Sequence, residues 1–191
     1  MTLPADLDGP VKPIWYLDVD GVINMVRSPA LERGLEDVPR HCWRTRVVNG
    51  FPITWDTRVI SAINELHRAG SVEICWLTTW ESDAAKLLAP ALEFDEFRVP
   101  AVSSRFLPQT QRGWWKWDSV RHHAEDDHHD QRAIIWTDDD LEDAIAYVPD
   151  LAGWFGRRGA QGLVTLGISP EPARGLTIAD LEAIRSVCAD A

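Results

Sequence analysis

Residues 14–22, which read IWYLDVDGV, constrain the fold of this chain more than any other stretch. Four apolar residues run directly into an Asp-x-Asp-Gly sequence, and an apolar run bounded by a glycine turn is typical of a buried strand in a parallel sheet. Open α/β sheets bind their ligands beyond the carboxyl ends of the strands. Asp18 and Asp20 are therefore candidates for a functional site, because a carboxylate there is costly to bury without compensation.

A β-hairpin is the alternative interpretation of the same stretch. Asp20-Gly21 between two apolar runs is a strong hairpin signal, with residues 14–19 and 22–26 as the two arms. That interpretation explains the turn but leaves Asp18 unexplained. A turn at Gly21 after a sheet strand instead lets both carboxylates converge on one cation or phosphate.

Two later apolar runs end in the same way. Residues 72–77 lead into Thr78-Thr79, and residues 133–137 lead into three consecutive acids that begin at Asp138. Between these predicted strands, apolar residues at helical spacing predict helices, such as the one that follows Asp56 as its N-cap. The alternation predicts an α/β fold, a Rossmann-like parallel sheet sandwiched by helices.

A small β insertion is expected at about residues 38–55, because Asn49-Gly50 separates two strand-like runs. We expect a single domain over residues 1–191. The remaining local predictions are a helix limited by Pro90, a strand over residues 97–102, a helix over residues 113–124, a surface loop over the His-rich residues 121–130, a short helix stopped by Pro149, a strand over residues 162–168, and a last helix opened by Thr177-x-x-Asp180.

Composition restricts the function classes. The net charge of −11 argues against a protein that binds nucleic acid over its whole surface, though not against a local basic groove. The three cysteines are far apart and form no CxxC pair, so neither a zinc site nor a disulfide framework is favoured, and a cytoplasmic location is expected. The sequence shows neither a secretory signal nor an apolar stretch long enough to span a bilayer, so we expect no membrane partner.

If the three polar strand ends share one edge of the sheet, the pocket holds several carboxylates and at least one hydroxyl, with Lys116 as a candidate neighbour. Hard oxygen ligands of this kind suit Mg²⁺, which binds through one or two carboxylates together with substrate phosphate. Lys116 would add a fixed positive charge. A carboxylate is also a competent nucleophile toward phosphorus, and the product is an aspartyl-phosphate.

The motifs resemble, in order and in strand context, those of the haloacid dehalogenase-like (HAD) hydrolase superfamily. The matching segments are Asp18-Val19-Asp20-Gly21-Val22, Thr78, Lys116 and Asp138-Asp139. The resemblance covers residues 14 to about 145. The sequences of residues 77–80 and 135–139 look most like the small HAD domains associated with nucleic-acid repair proteins. The resemblance implies a HAD-like fold with little or no cap. It also implies a Mg²⁺-dependent phosphomonoesterase whose substrate is phosphorylated, such as a nucleotide or a nucleic-acid end.

The resemblance also implies a role for each matching residue. Asp18 would be the nucleophile, and Asp20 would be the general acid that protonates the leaving oxygen and then the base that activates water. Thr78, with Thr79 beside it, and Lys116 would bind the phosphoryl group. Asp18, the Val19 carbonyl and Asp138, with Asp139 beside it, would hold the metal. Asp20 is also a candidate metal ligand, because the turn at Gly21 lets it converge with Asp18 on one cation.

Some assignments within this set stay open. Lys116 is the only one of the three lysines in the interval of the third motif, and Arg112 is the reserve candidate because the family also allows arginine there. Which two of the three acids at 138–140 face the metal is also open, and Asp140 is a candidate helix cap.

Other classes of function and other roles compete with this one. A HAD-like protein that binds a metal or partner without turnover is one, although Asp20 would then have no task, and a phospho-accepting receiver domain is another. Arg44 and Arg46 lie on one face of the predicted hairpin, where they would form a solvated strand face, the safer view, or meet an anionic substrate. Three tryptophans at residues 114–117 would stack bases or, the safer view, pack against the core.

Overall fold

A four-stranded parallel sheet forms the centre of the protein. The computed structural model describes residues 11–26, 39–98, 114–126 and 131–190. The strand order is β4-β1-β5-β6, with β1 at Ile14–Leu17, β4 at Glu73–Trp76, β5 at Ile134–Thr137 and β6 at Thr165–Ile168. Because β1 pairs in parallel with both β4 and β5, the alternative hairpin of residues 14–26 does not form.

Helices cover both faces of this sheet, as the α/β interpretation predicts. Alternate residues of β1 enter two different apolar clusters: Trp15 and Leu17 belong to one, and Ile14 and Tyr16 to the other. The first cluster includes residues of α1 (Thr57–Arg68) and α6 (Ile178–Ala189), and the second includes residues of α3 (Trp115–Asp126), α4 (Leu141–Tyr147) and α5 (Pro149–Ala160). A strand buried on both faces reads as an uninterrupted apolar run, which is what residues 14–17 show.

The predicted β insertion is a two-stranded antiparallel hairpin between β1 and α1. Its strands are β2 (Trp43–Val48) and β3 (Phe51–Asp56), preceded by a 3₁₀ turn at Arg40–Cys42. Asn49 and Gly50 have φ angles of 50° and 85°, the left-handed conformation that a two-residue hairpin turn requires. Within the described parts of the chain it is the only antiparallel sheet.

Two of the three candidate helix caps make the expected hydrogen bonds. The Asp56 carboxylate accepts a hydrogen bond of 2.9 Å from the backbone N–H of Arg58 at the start of α1. At the start of α6, the Thr177 hydroxyl accepts from the Asp180 N–H, and the Asp180 carboxylate accepts from the Thr177 N–H. Each cap satisfies backbone donors that have no partner within the helix.

Two prolines act differently from the prediction. Pro90 does not end a helix: the chain passes from a π-helical turn at Ala84–Leu88 into α2 (Ala89–Leu92), with Pro90 in its first turn. Pro149 follows the end of α4 but also opens α5, a helix that the sequence analysis did not predict. The physical reason is the same in both cases, since proline lacks only an N–H that the first turn of a helix leaves unpaired anyway.

Other predicted element boundaries also differ from those in the structure. Helix α3 continues to Asp126, so the surface loop predicted for residues 121–130 is wrong up to that point, and residues 127–130 lie outside the described chain. His123 within it is buried, with its Nδ1 2.8 Å from the Tyr16 hydroxyl. Of the strand predicted over residues 97–102, the described part shows one bridge, between Cys75 and Arg98. The last strand begins at Thr165 and not at residue 162.

None of the helices in the described ranges combines the length and the apolar character needed to cross a bilayer.

Replacing Thr177 with alanine tests the α6 cap. We expect Thr177→Ala to lower the free energy of unfolding by about 1 kcal/mol, because the N–H of Asp180 loses its acceptor. Urea denaturation would measure the change. Ser186→Ala is the control, since Ser186 is exposed on the same helix and its loss should change the free energy by less than about 0.5 kcal/mol. Equal effects of the two substitutions would contradict the capping role.

Candidate active site

The register of the sheet brings three polar strand ends to one edge. Leu17 pairs with Trp76 on one side and with Thr137 on the other. The N–H of Asp18 donates to the Thr137 carbonyl at 3.1 Å, and the N–H of Leu77 donates to the Leu17 carbonyl at 2.8 Å. The next residues along the chain therefore meet at the carboxyl edge: Asp18, Thr78 and Asp138.

Lys116 bridges two of these carboxylates. Its Nζ donates to Asp18 Oδ2 and to Asp138 Oδ2, each at 2.7 Å. All three side chains are buried, with 7%, 6% and 0% of their surface exposed. Helix α3 supplies this lysine from its first turn, and charge-assisted bonds in such a dry environment are strong. The structure therefore brings Lys116 together with two other residues of the predicted site.

Asp139 completes an acidic group with Asp18 and Asp138. Carboxylate oxygens of these three residues all lie within 4.8 Å of one another. The close approach explains the glycine of the first motif, since a Cβ at Gly21 would collide with the Asp139 carboxylate and the φ of Gly21 is +76°. A side chain at position 21 would therefore displace one member of the acidic group.

The acidic group of Asp18, Asp138 and Asp139 carries more negative charge than Lys116 alone can compensate. Burial raises the pKa of Asp18, although Lys116 partly offsets this. Burial and the neighbouring Asp18 charge raise the pKa of Asp138 to about 7, and burial with the Asp140 charge raises the pKa of Asp139 to about 6. Burial alone would lower the pKa of Lys116, but its attraction to Asp18 and Asp138 outweighs burial and raises it. Three clustered carboxylates of this kind fit a hard divalent cation such as Mg²⁺.

Asp20 lies outside this acidic group, although the sequence predicts it among the metal ligands. Its Oδ2 accepts a hydrogen bond of 2.9 Å from the indole Nε1 of Trp80, and its Oδ1 accepts one of 2.7 Å from the Asn24 amide. These two donors fix the orientation of the Asp20 carboxylate. The carboxylate is partly exposed and lines a cavity of about 690 Å³.

The two threonines occupy different environments. Thr78 is buried, and its hydroxyl forms a hydrogen bond with the Asp18 carboxylate that moderates the pKa rise caused by burial. Thr79 is exposed and lines the same cavity as Asp20. Only Thr78 therefore lies in the buried part of the site.

The structure partly resolves the assignments left open among the three acids at residues 138–140. Asp138 and Asp139 are the members of the acidic run that join Asp18. Asp140 occupies the N-cap of α4, but its side chain makes no capping hydrogen bond; its N–H instead donates to Asp138 Oδ1 at 3.1 Å. The reserve candidate Arg112 lies outside the described residues.

The tryptophans that surround Lys116 contribute to packing. Trp114 stacks on Trp136 at a centroid distance of 5.1 Å and an interplanar angle of 2°, and Trp117 is buried. The Lys116 Nζ lies 5.7 Å from the Trp114 ring and 5.9 Å from the Trp115 ring. These rings help to hold the ammonium group in an apolar setting, so the packing interpretation fits better than base stacking.

Three supporting residues were missed from the sequence. Trp80 and Asn24 hold Asp20, and Gly175 lets the loop before α6 dock on the first motif. The Leu176 N–H donates to the Val22 carbonyl at 2.8 Å, and a Cβ at Gly175 would lie 2.6 Å from that oxygen. The sequence carried only weak signals for them, an aromatic residue after Thr78-Thr79 and an isolated glycine.

One of three comparisons with known proteins found a match. A family model described as the HAD domain in Swiss Army Knife RNA repair proteins matches residues 14–180. No curated protein and no solved structure matches the chain.

The raised pKa of Asp138 predicts a pH-dependent stability in the presence of a chelator. A folded-state pKa near 7, against about 3.8 when unfolded, means that the folded protein binds the proton more tightly, so this stabilisation is lost as the pH rises from about 4 to about 7. Asp138→Asn removes the titrating group. The midpoint of thermal unfolding of this variant, relative to the wild type, should therefore rise by several degrees over that range.

Asp143→Asn is the matched control, since Asp143 is exposed on α4. Its midpoint relative to the wild type should not change with pH. A pH-independent difference for Asp138→Asn would contradict the raised pKa. Adding Mg²⁺ to the wild type should reduce the loss of stability at pH 7, because a bound cation favours the ionised carboxylates.

Proposed function

The chain belongs to the family of HAD domains found in Swiss Army Knife RNA repair proteins, and from this premise of a HAD-type hydrolase we propose that it is a Mg²⁺-dependent phosphomonoesterase that works through an aspartyl-phosphate on Asp18. The observation that carries the proposal is the Lys116 ammonium, which lies 2.7 Å from both Asp18 and Asp138 with Asp139 adjacent. This arrangement combines a nucleophile, a fixed cation and a set of metal ligands in one buried site.

The metal would be held by Asp18, Asp138 and Asp139, whose carboxylates form the acidic group described above. When bound, Mg²⁺ supplies positive charge that offsets the phosphate of the substrate and the mutual repulsion of the three acids. The remaining chemistry belongs to the side chains of the chain itself.

In the first step, a carboxylate oxygen of Asp18 forms a bond to the phosphorus of R–O–PO₃²⁻ and the bond between phosphorus and the leaving oxygen breaks. Asp20, protonated at this point, gives its proton to that oxygen, so the product leaves as the alcohol R–OH. Lys116 compensates the negative charge that Asp18 and the phosphoryl group bring together. The buried Thr78 hydroxyl, next to Asp18, is positioned to donate a hydrogen bond to a phosphoryl oxygen.

In the second step, the Asp20 carboxylate takes a proton from a water molecule as the water oxygen bonds to phosphorus. The bond between phosphorus and Asp18 then breaks, which restores the Asp18 carboxylate and releases inorganic phosphate. Asp20 needs a fixed orientation for both transfers. The hydrogen bonds from Trp80 and Asn24 to its two oxygens provide that orientation.

We propose a nucleotide or a nucleic-acid end as the phosphorylated substrate. The name of the family, which refers to RNA repair, supports this class. The site is also open on the side of Asp20, through the cavity of about 690 Å³.

We propose the cytoplasm as the location of the protein. All three cysteines are free, which supports a reducing compartment.

The two rival hypotheses have less support. A receiver domain is not favoured, because the family model assigns a HAD domain to residues 14–180. A catalytically silent HAD-like protein would have no task for Asp20, yet two donors hold this carboxylate at the edge of an open cavity.

Hydrolysis of p-nitrophenyl phosphate in the presence of Mg²⁺ tests the activity. We expect turnover by the wild type and a loss of at least about 10³-fold in kcat for Asp18→Asn, because the amide cannot act as the nucleophile. Asp143→Asn, an exposed acid on α4, should retain wild-type activity. Absence of Mg²⁺-dependent turnover by the wild type, or activity of Asp18→Asn equal to that of Asp143→Asn, would contradict the proposal.

Asp20→Asn tests the two-step role of Asp20 separately. With p-nitrophenolate, a good leaving group that needs little protonation, formation of the aspartyl-phosphate should continue while its hydrolysis slows by about 10²–10⁴-fold. Acid quenching with a radiolabelled phosphoryl donor should therefore trap more labelled protein than in the wild type. A variant that slows without accumulating label would argue against Asp20 as the base of the second step.

A further inference from the structure

Three neighbouring cavities follow one another around the β2–β3 hairpin, starting at the candidate active site. The first is the cavity of about 690 Å³ at Asp20, the second has a volume of about 440 Å³, and the third has about 760 Å³. Asn49 at the hairpin turn lines the first two, and Arg46 lines the second and third. We call this series of cavities the hairpin groove. Along the hairpin, the chain from Arg44 to Asn49 spans about 16 Å, at about 3.3 Å per residue.

Positive charge lines the groove beyond the hairpin turn. Arg44, Arg46 and Lys86 are exposed there. Their hydrogen bonds go to neutral acceptors: Arg44 donates to two backbone carbonyls, Arg46 to the Ala91 carbonyl, and Lys86 to the Ser82 hydroxyl. Among the residues that the structure describes, no carboxylate forms a salt bridge with these three side chains.

This concentration of uncompensated cations is unusual for a chain with a net charge of −11. Elsewhere in the described chain most exposed arginines have an acidic partner, as Arg58 does in Asp56 and Arg121 in Asp118. A fourth cation of the groove, Arg68, is paired with Asp95. The groove therefore contains a local positive surface within an acidic protein, which favours an anionic ligand.

Exposed apolar side chains lie in the same groove. The described residues include seven large apolar side chains that are exposed, and four of them line the first two cavities: Val26, Val47, Phe51 and Leu87. Phe51 is 60% exposed and makes an edge-on contact with Trp80, at a centroid distance of 5.8 Å. Planar rings at one end of a groove and cations farther along it can together bind single-stranded nucleic acid, because bases stack on the rings and phosphates meet the cations.

The order of charges along the groove gives it a direction. Among the residues that the structure describes, the lining of the cavity at Asp20 also includes Glu81 and Asp83 and contains no cation. This lining disfavours a phosphodiester but accepts an uncharged nucleoside beside Phe51 and Trp80. The cations begin beyond Asn49. A strand with its terminal phosphate at Asp18 would thus put its first nucleoside against the aromatic pair and its following phosphates against Arg46, Lys86 and Arg44.

We propose that the hairpin groove binds a single-stranded nucleic acid and delivers its phosphorylated end to Asp18. This inference rests on the proposed phosphomonoesterase function, since it names the substrate of that site. It predicts that Arg44 and Arg46 determine the preference for a strand over a small phosphate ester, without contact with the reacting phosphorus.

The double variant Arg44→Gln/Arg46→Gln tests the groove on the full-length protein. The substrates are single-stranded decanucleotides of RNA and of DNA, each with a terminal phosphate, and p-nitrophenyl phosphate. We expect the ratio of kcat/KM for the decanucleotide to kcat/KM for p-nitrophenyl phosphate to fall at least about 10-fold. The double variant Arg121→Gln/Arg157→Gln has the same change of charge at exposed positions on α3 and α5 and should leave the ratio unchanged.

The length and salt dependence sharpen the test. A phosphorylated mononucleoside is too short to reach Arg44, so its kcat/KM should respond to the double variant much less than that of the decanucleotide. For binding of the decanucleotide, the slope of the logarithm of the association constant against the logarithm of the salt concentration should become shallower by about 1.4. This is about 0.7 for each of the two lost phosphate contacts in a single strand. Equal effects of the two double variants on the ratio would overturn the proposal, as would an effect on the mononucleoside equal to that on the strand.

Binding measured without turnover separates this inference from the proposed function. Fluorescence anisotropy with the Asp18→Asn protein reports the affinity for labelled decanucleotides, and Arg44→Gln/Arg46→Gln in that background should weaken it at least about 10-fold. If the wild type hydrolyses neither substrate while binding depends on both arginines, the phosphomonoesterase function fails and the groove stands. If p-nitrophenyl phosphate is hydrolysed while strand binding is independent of both arginines, the groove fails and the function stands. Comparison of the RNA and DNA arms identifies the strand that is preferred.

Discussion

A single buried ammonium group holds the candidate active site together. Lys116 lies between Asp18 and Asp138, and without it two carboxylates would be buried side by side at the end of the sheet. Removing one partner from a buried ionic arrangement of this kind typically costs about 3–5 kcal/mol, because the remaining charge has lost its compensation. The parallel register of β1, β4 and β5 supplies the acids, but α3 must dock correctly for the lysine to reach them. Packing of Trp114 on Trp136 is therefore part of the electrostatics of the site.

The two carboxylates of the first motif, Asp18 and Asp20, lie in different environments. Asp18 is buried and paired with a cation, whereas Asp20 is partly exposed and held by the neutral donors of Trp80 and Asn24. The proposed nucleophile and the proposed acid/base need such different surroundings, since one must stay ionised and the other must exchange protons with a leaving group and with water. The glycine at position 21 makes the separation possible, because its turn redirects the chain between them and leaves space for Asp139.

The sequence predicted those parts of the site that depend on local patterns. The runs that end at Asp18, Thr78 and Asp138 identified the strand ends, and the Asn49-Gly50 turn identified the hairpin. The contacts from distant segments were not predictable, because neither periodicity nor spacing shows which side chains meet across the fold. The Trp80 bond to Asp20 is such a contact.

Helix boundaries failed at prolines for a different reason. Pro149 satisfies the requirements for stopping one helix and for starting another, so the residue alone cannot show whether α5 follows. The placement of Asp20 among the metal ligands rested on the expectation that a turn at Gly21 lets both carboxylates of the first motif converge on one cation. That convergence depends on the side-chain direction after the turn. A sequence pattern does not contain that direction.

The hairpin connects the two electrostatic regimes of the protein. Its turn at Asn49 borders the acidic cavity of Asp20, and its strand β2 presents Arg44 and Arg46 beyond that turn. A divalent cation and Lys116 can compensate one phosphate at the site, but they cannot attract a longer polyanion across a surface with a net charge of −11. Attraction at that range requires cations that no acid has neutralised, and screening limits their reach to about 8–10 Å in physiological salt. Arg46 and Arg44 lie three and five residues before Asn49, which borders the cavity of Asp20. In the proposed function, recognition of a strand by these cations and chemistry at its end are therefore separated in space and act on one molecule.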